Sequence, residues 1–214
     1  MESDSGQNEK YWEEKGSLKT FSTPVQIAEL KKHVSNDAKL LDVGCGYGRV
    51  MTELLNAGFT DVKGVEPSAA LRRRVIDEGR SLAVNPMDLG VIPFEDSSID
   101  AALLVAVLTC IPEDKDLNSV MSEIYRVLKP GGVIYINDFL LNTDERNIER
   151  YDHFQKKYGV YGIFELEGGG ILRHFSDEYT KEMLSMFTEL EFKKVVYTTM
   201  NGNRANGFYY IGKK

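Results

Sequence analysis

The stretch Leu40-Leu41-Asp42-Val43-Gly44-Cys45-Gly46-Tyr47-Gly48-Arg49 sets a carboxylate beside three glycines spaced Gly-x-Gly-x-Gly, directly after an apolar run. A strand that turns on glycines into a helix presents bare backbone amides at its carboxyl end, where open α/β sheets bind ligands. Lacking Cβ atoms, the glycines can take positive φ and let a ligand approach the main chain. Asp42, the last charged group before the turn, is placed to meet a cation. The guest such a turn suits is a nucleotide-bearing small molecule with a charged end. Two further carboxylates follow at strand ends, Glu66 in Gly64-Val65-Glu66-Pro67 and Asp88 after Met87.

The elements that position these groups follow from periodicity and punctuation. Residues 1–6 carry no pattern and are expected to be disordered. Residues 7–15 are helix formers that include Tyr11 and Trp12. Ser22 or Thr23 is suited to cap a second helix, with Pro24 at its first position and Val25, Ile27, Ala28 and Leu30 on its apolar face. Strands are expected at 39–43, 61–65, 81–84, 99–107 and 133–139. Helices are expected at 48–56, at 68–77 with Ser68 as cap, and at 115–128, where Leu117, Val120, Met121, Ile124, Val127 and Leu128 recur at helical spacing. Lys129-Pro130-Gly131-Gly132 then stops the helix and turns the chain. Strands alternating with helices require a parallel sheet with right-handed crossovers. Beyond Phe139 a charged helical stretch, 144–157, leads into a Gly- and Tyr-rich segment, 158–170. A helix at 177–187 precedes two β-like runs, 192–199 and 207–212, joined by the turn residues Met200-Asn201-Gly202-Asn203 as a hairpin.

Composition narrows the function classes. The chain has 214 residues, 42% hydrophobic and 28% charged, enough for one domain with a large core. Its formal net charge of −7 argues against nucleic acid and anionic membranes as partners. Cys45 and Cys110 are too few for a disulfide framework or a cysteine zinc site, and no metal is expected. Residues 1–5 lack the pattern of a signal peptide, and the apolar run 101–111 is too short to cross a bilayer. A cytoplasmic setting is expected.

With the glycine turn, Glu66, Asp88 and Leu128-Lys129-Pro130-Gly131-Gly132 in this order, the chain resembles a class I, Rossmann-like S-adenosylmethionine-dependent methyltransferase of small-molecule type. The likeness covers roughly residues 38–140. It implies an α/β fold: a seven-stranded, mostly parallel sheet with helices on both faces and a C-terminal antiparallel hairpin. It also implies one domain, divided into an N-terminal helical cap (1–36), a cofactor-binding core (37–140), an acceptor lid (141–176) and a terminal helix and hairpin (177–214). Gly44, Gly46 and Gly48 would pack against the amino-acid and ribose parts of the cofactor, and Asp42 would meet the methionine ammonium. Glu66 would accept from both ribose hydroxyls, a bidentate task that suits a carboxylate. Asp88 would accept from the adenine amine, with the Met87 amide near the ring. Cys45, Pro67 and Ala106 are expected beside the cofactor, and the Cys45 thiol, with nothing to activate it, has a packing role. A dinucleotide-binding turn needs Gly-x-Gly-x-x-Gly, and its third glycine is replaced here by Arg49.

The resemblance implies in-line displacement of the sulfonium methyl by a small-molecule acceptor, leaving S-adenosylhomocysteine. The protein then serves mainly to align the nucleophile and exclude water. The loop after the fourth strand, Val105 to Pro112, lacks the Asn/Asp-Pro-Pro-aromatic signature of amine methylation and the glutamate-histidine or paired histidines of small-molecule relatives. Base candidates therefore shift to Arg173-His174: histidine has a suitable pKa, and Arg173 can hold an anionic group on the acceptor. The alternative is that both only support the start of the next helix at Ser176. Tyr11 and Trp12 are candidates to close the site or to staple the first helix down. Tyr161 and Phe164 are candidates to line the acceptor pocket or to be core. Other readings left open are methylation of RNA or protein, and cofactor binding without catalysis. Monomer and homodimer are both compatible.

Overall fold

A computed structural model describes residues 4–199 and 202–214. The chain runs through α1 (Asp4–Glu14), a 3-10 turn (Gly16–Leu18), α2 (Ile27–Leu30), β1 (Lys39–Val43), α3 (Arg49–Asn56), β2 (Asp61–Glu66), α4 (Ala69–Asp77), β3 (Ala83–Pro86) and β4 (Ile99–Val105). A 3-10 turn (Leu108–Cys110), α5 (Asp114–Val127), β5 (Leu128–Phe139), α6 (Glu145–Tyr158), β6 (Ile163–Glu165), β7 (Ile171–Arg173), α7 (Asp177–Leu184), β8 (Thr188–Thr198) and β9 (Arg204–Lys213) complete it. No described helix is long and apolar enough to cross a membrane.

The main sheet has seven strands in the order β3-β2-β1-β4-β5-β9-β8. β1 to β5 pair in parallel, and β9 runs antiparallel to both β5 and β8. The class I methyltransferase fold implied by the motifs is the fold observed. Strand order reverses beside β1, so the loops after β1 and β4 open into one crevice at the carboxyl edge, the place where such sheets bind ligands.

Two apolar layers hold this edge in place. On one face Leu41, Val43, Leu104, Ile134 and Ile136 meet α5 through Leu117, Val120, Met121, Ile124 and Val127. On the other, Leu40, Leu103 and Tyr135 meet Met51 and Leu54 of α3 and Leu30 of α2. Side chains alternate between the layers along each strand, and both faces are covered, which explains the near-continuous apolar runs. Each fully buried aliphatic side chain contributes about 1.5–3 kcal/mol.

Several sequence expectations need correction. Helix α1 begins at Asp4, inside the segment expected to be disordered. The second helix is a single turn with Gln26 at its cap, not Ser22 or Thr23, because the segment before it is anchored elsewhere: the Gln26 amide donates to Tyr135 Oη (2.8 Å). β4 ends at Val105 rather than 107 because Ala106 turns the chain with φ 57°. β3 sits two residues later than expected. The segment 158–170 contributes β6, which pairs with β7 as a separate two-stranded sheet that periodicity did not reveal. The final hairpin forms as expected but is longer, with β8 starting at Thr188 and β9 at Arg204 and the helix before it ending at Leu184 rather than 187; Met200 and Asn201 of its turn lie outside the described residues.

Candidate active site

The carboxyl edge of the sheet encloses a cavity of about 600 Å³, roofed by residues of α1 and walled on one side by the segment after β5. Its two ends are chemically different.

At the β1–β2 end, Gly44, Gly46 and Gly48 have φ of 67°, 57° and 78°. A Cβ on Gly46 would lie 2.8 Å from Phe21 Cε2, and one on Gly44 2.8 Å from Val107 Cγ2. Left-handed backbone and close packing together require glycine at both positions. Gly48 stands behind the cavity wall, where it caps α3, so it shapes the turn without lining the site. Glu66 is buried and held by two backbone donors: Gly46 N–H donates to Oε2 (2.9 Å) and Ser68 N–H to Oε1 (2.9 Å). Each carboxylate oxygen keeps lone-pair capacity for a further donor. Burial, partly offset by these two amides, raises the Glu66 pKa.

Asp42 is buried, and its Oδ2 finds no partner among the described residues. Burial pushes its pKa up to about 8 against the lowering effect of Arg49. Arg49 donates to Glu53 Oε1 (2.6 Å) and to the Thr23 carbonyl (2.5 Å), while its buried Nε is unpartnered. One orphaned acceptor and one orphaned donor thus border the same end of the cavity. An α-amino acid, with its ammonium and carboxylate, presents the complementary pair. Pro67, Met87 and the exposed Asp88 line the wall beyond Glu66, and Ala106 lines the floor. The Cys45 thiol is pushed well above its usual range by burial and packs toward Gly64, consistent with packing rather than reactivity.

The opposite end gathers Phe139, Phe164, Leu166, Leu172, His174, Arg146 and Arg150. His174 is buried between Phe139, stacked at 5.5 Å, and Phe164, edge-on at 4.9 Å. Asn206 N–H donates to Asn142 Oδ1 (2.7 Å), so Asn142 Nδ2 is a donor, and it lies 3.2 Å from His174 Nδ1. Tyr151 Oη receives the Asn142 amide (3.4 Å) and stands 2.6 Å from the same ring nitrogen. The network makes Nδ1 an acceptor and leaves the proton on Nε2. Burial, with the charges of Arg150 and Arg146, lowers the His174 pKa to about 3. His174 is therefore a neutral hydrogen-bond donor, and the base role expected of it is not supported: its lone pair is engaged and its basicity is low.

Three other sequence expectations are corrected by placement. Arg173 lies outside the cavity, donating to Asp114 Oδ1 (2.5 Å) and the Pro112 carbonyl (3.0 Å) and stacking on Tyr179 at 4.4 Å. It clamps β7 to the start of α5, whereas the helix that starts at Ser176 is capped by the Ser176 side chain itself, so neither role expected of Arg173 is the one observed. Tyr11 is buried against Gly170 and does not line the cavity, whereas its neighbour Trp12 does. Tyr161 is part-exposed, edge-on to Tyr151 and away from the site, while Phe164 lines it.

Comparison with known proteins agrees with the geometry. The methyltransferase-domain family matches residues 41–136. A SAM-dependent methyltransferase structure from Methanosarcina mazei superposes with a TM-score of 0.82 at 26% identity, covering 90% of this chain and 99% of that one. By this domain match and this superposition the chain is similar to the class I S-adenosylmethionine-dependent methyltransferases. Curated relatives include a sterol 4-C-methyltransferase of Caenorhabditis elegans, 34% identical over 60% of this chain and 39% of that protein. Another is the O-methyltransferase resE of Aspergillus sclerotiorum, 29% identical over 70% of this chain and 60% of that protein. The chain thus spans less than two thirds of these two relatives' length.

Several residues of this site carry little or no signal in the sequence. Asn8 ties α1 across the crevice: its Nδ2 donates to the carbonyls of Ile171 and Cys110 (both 2.8 Å), and Ile171 N–H donates to its Oδ1 (2.6 Å). Glu13 anchors the other end of the same helix, accepting from Ser68 Oγ (2.7 Å) and Ala70 N–H (3.0 Å) at the start of α4. Asp138, buried at the end of β5, accepts from the Leu108, Thr109 and Phe139 amides and shapes the loop after β4. Its signal was visible, a polar pair Asn137-Asp138 closing an apolar strand. Asn8 and Glu13 carry no local signal at all.

Proposed function

We propose that the protein transfers the methyl group of S-adenosylmethionine to a small-molecule acceptor, with the cofactor at the β1–β2 end of the cavity and the acceptor at the aromatic end. S-adenosylmethionine, when bound, supplies a methyl group already activated on a sulfonium. The observation that carries this reading is that one cavity joins a carboxylate- and glycine-lined end to an aromatic end under α1.

The residues at the first end match the cofactor's parts. Asp42 Oδ2 accepts from the methionine ammonium, whose charge removes the cost of ionising a buried carboxylate. Arg49 Nε faces the carboxylate in this assignment. Glu66, preorganised by two amides, accepts from the ribose hydroxyls. Asp88 and the Met87 amide meet the adenine, and Gly44 and Gly46 allow the close backbone approach. The protein's contribution to transfer is alignment and exclusion of water: Trp12 and Phe21 roof the site, and Phe139 and Phe164 flank the acceptor. His174 orients the acceptor through Nε2–H. No protein base is assigned, which suits an acceptor atom that is already nucleophilic at neutral pH. The sterol named for the worm relative and the enclosed, largely apolar cavity favour a small molecule over RNA or protein. Two free cysteines fit the reduced setting of a cytoplasm.

Incubation with radiolabelled S-adenosylmethionine and separated metabolite, RNA and protein pools tests this. Label in a metabolite supports the reading. Label confined to macromolecules refutes the acceptor class, and no label in any pool refutes methyl transfer.

A further inference from the structure

The acceptor end of the cavity is built from donors. Arg150, half-buried on α6, stacks its guanidinium 3.4 Å from the centroid of Phe164, which fixes its plane. Its Nε is buried without a partner, and it makes no ion pair among the described residues. Arg146, one helical turn earlier and also lining the cavity, has only a loose contact with Asp144 at 3.8 Å. Asp144 is itself engaged as the cap of α6, accepting from the Asn147 amide (3.3 Å). His174 adds Nε2–H, since Nδ1 is held by Asn142 and Tyr151. Burial lowers the Arg150 pKa, against the raising effects of a hydrogen bond with Tyr151 and of the Asp144 charge.

Arg173, the cation that the sequence placed beside His174, is already neutralised by Asp114. The methionine carboxylate has its own donor in Arg49 at the other end. A guanidinium lined up by an aromatic ring, a second guanidinium on the same helix face and a neutral N–H form a subsite that matches an oxyanion in charge and geometry.

We infer that the acceptor carries an oxyanion group, carboxylate or phosphate, bound by Arg150 and Arg146 beside His174. This rests on the proposed use of the aromatic end as the acceptor site. It also gives the cavity opposed polarity: carboxylates meet the cationic cofactor, and guanidinium groups meet an anionic acceptor. Phe139 and Leu172 line the same cavity as this anchor, so the part of the acceptor beyond the oxyanion is apolar or aromatic.

Calorimetric titration of the full chain saturated with S-adenosylhomocysteine tests the subsite, using phenylacetate, phenyl phosphate and the neutral phenylacetamide as probes. At least one anion is expected to bind about tenfold or more tightly than the amide. Preference between the two anions tells carboxylate from phosphate. Arg150→Gln is expected to weaken the preferred anion about tenfold, with Arg150→Lys between it and wild type, since lysine keeps the charge and loses the fork. Affinity for S-adenosylhomocysteine is expected to stay within about twofold in both variants, which also shows that they fold. Equal binding of amide and anions, no binding of either anion, or an unaffected Arg150→Gln overturns the inference. So does a loss of S-adenosylhomocysteine affinity in Arg150→Gln, which would assign the guanidinium to the methionine carboxylate. If wild type fails to bind S-adenosylhomocysteine, the functional reading falls, and the same anion titration on the ligand-free protein still decides the subsite.

Discussion

The two ends of the cavity are built in different ways. The β1–β2 end is local: Asp42 to Gly46, Glu66 to Ser68, and Met87 with Asp88 each belong to one short strand end, and Glu66 reaches back only to Gly46. The aromatic end is assembled from a distance, from α1, the end of β5, α6 and the β6–β7 sheet, with Asn8 bound to Ile171. Backbone conformation dominates the first end and side-chain networks the second. A backbone cradle can stay constant while its opposite wall changes, so one fold can accept one donor and many acceptors.

The largest break in this comparison is expected from Gly46→Ala. A side chain there meets Phe21 at 2.8 Å and must hold φ at 57°. The expected loss is about 2–3 kcal/mol of stability, read by denaturant unfolding, with S-adenosylhomocysteine affinity falling alongside. A neutral result would mean that the turn tolerates side chains and is not the cradle described.

Asp42 sharpens the electrostatic side of the comparison. Its folded pKa, about 8, lies above an unfolded value near 4, so the native state holds an extra proton between these pH values. Stability of the ligand-free protein therefore falls as pH rises through that window, by at most about 1.4 kcal/mol per pH unit. Asp42→Asn is expected to remove this contribution and leave those of Glu66 and Asp138, whose pKa values burial also raises, that of Asp138 to about 7. Thermal melts from pH 5 to 8 measure it, and an unchanged slope in Asp42→Asn contradicts the assignment.

Glu13→Ala removes the carboxylate that accepts from Ser68 and Ala70, and about 1 kcal/mol is expected from the lost cap. Hydrogen exchange should then show α1 opening more often while β1 and β4 stay protected; unchanged exchange in α1 would show that Gln7, Asn8 and Tyr11 hold the helix without Glu13. The smallest effect concerns His174. With a pKa near 3 it does not titrate in the working range, so His174→Gln is expected to leave the shape of the pH–rate profile unchanged. A lost titration limb in that variant would restore the base role.

The same division explains what was legible in the amino-acid sequence. The order of β1 to β5, the cap Ser68 and the apolar face of α5 follow from local patterns, and so do the glycines and carboxylates of the β1–β2 end. Arg173 was misplaced because sequence proximity to His174 says nothing of direction: in β7 neighbouring side chains leave opposite faces, and Arg173 turns to Asp114. Arg150 carries no signal of its own, because one arginine on a charged helix looks like a solvated face until Phe164 is packed against it.

The central claim is that Glu66 and the glycine turn hold S-adenosylmethionine, and calorimetric titration of S-adenosylhomocysteine into wild type and Glu66→Ala tests it most directly. Wild type is expected to bind one equivalent, and Glu66→Ala about 100-fold more weakly, because charge-assisted bonds to two hydroxyls are lost. No binding by wild type, or equal affinity in the two proteins, would contradict the account.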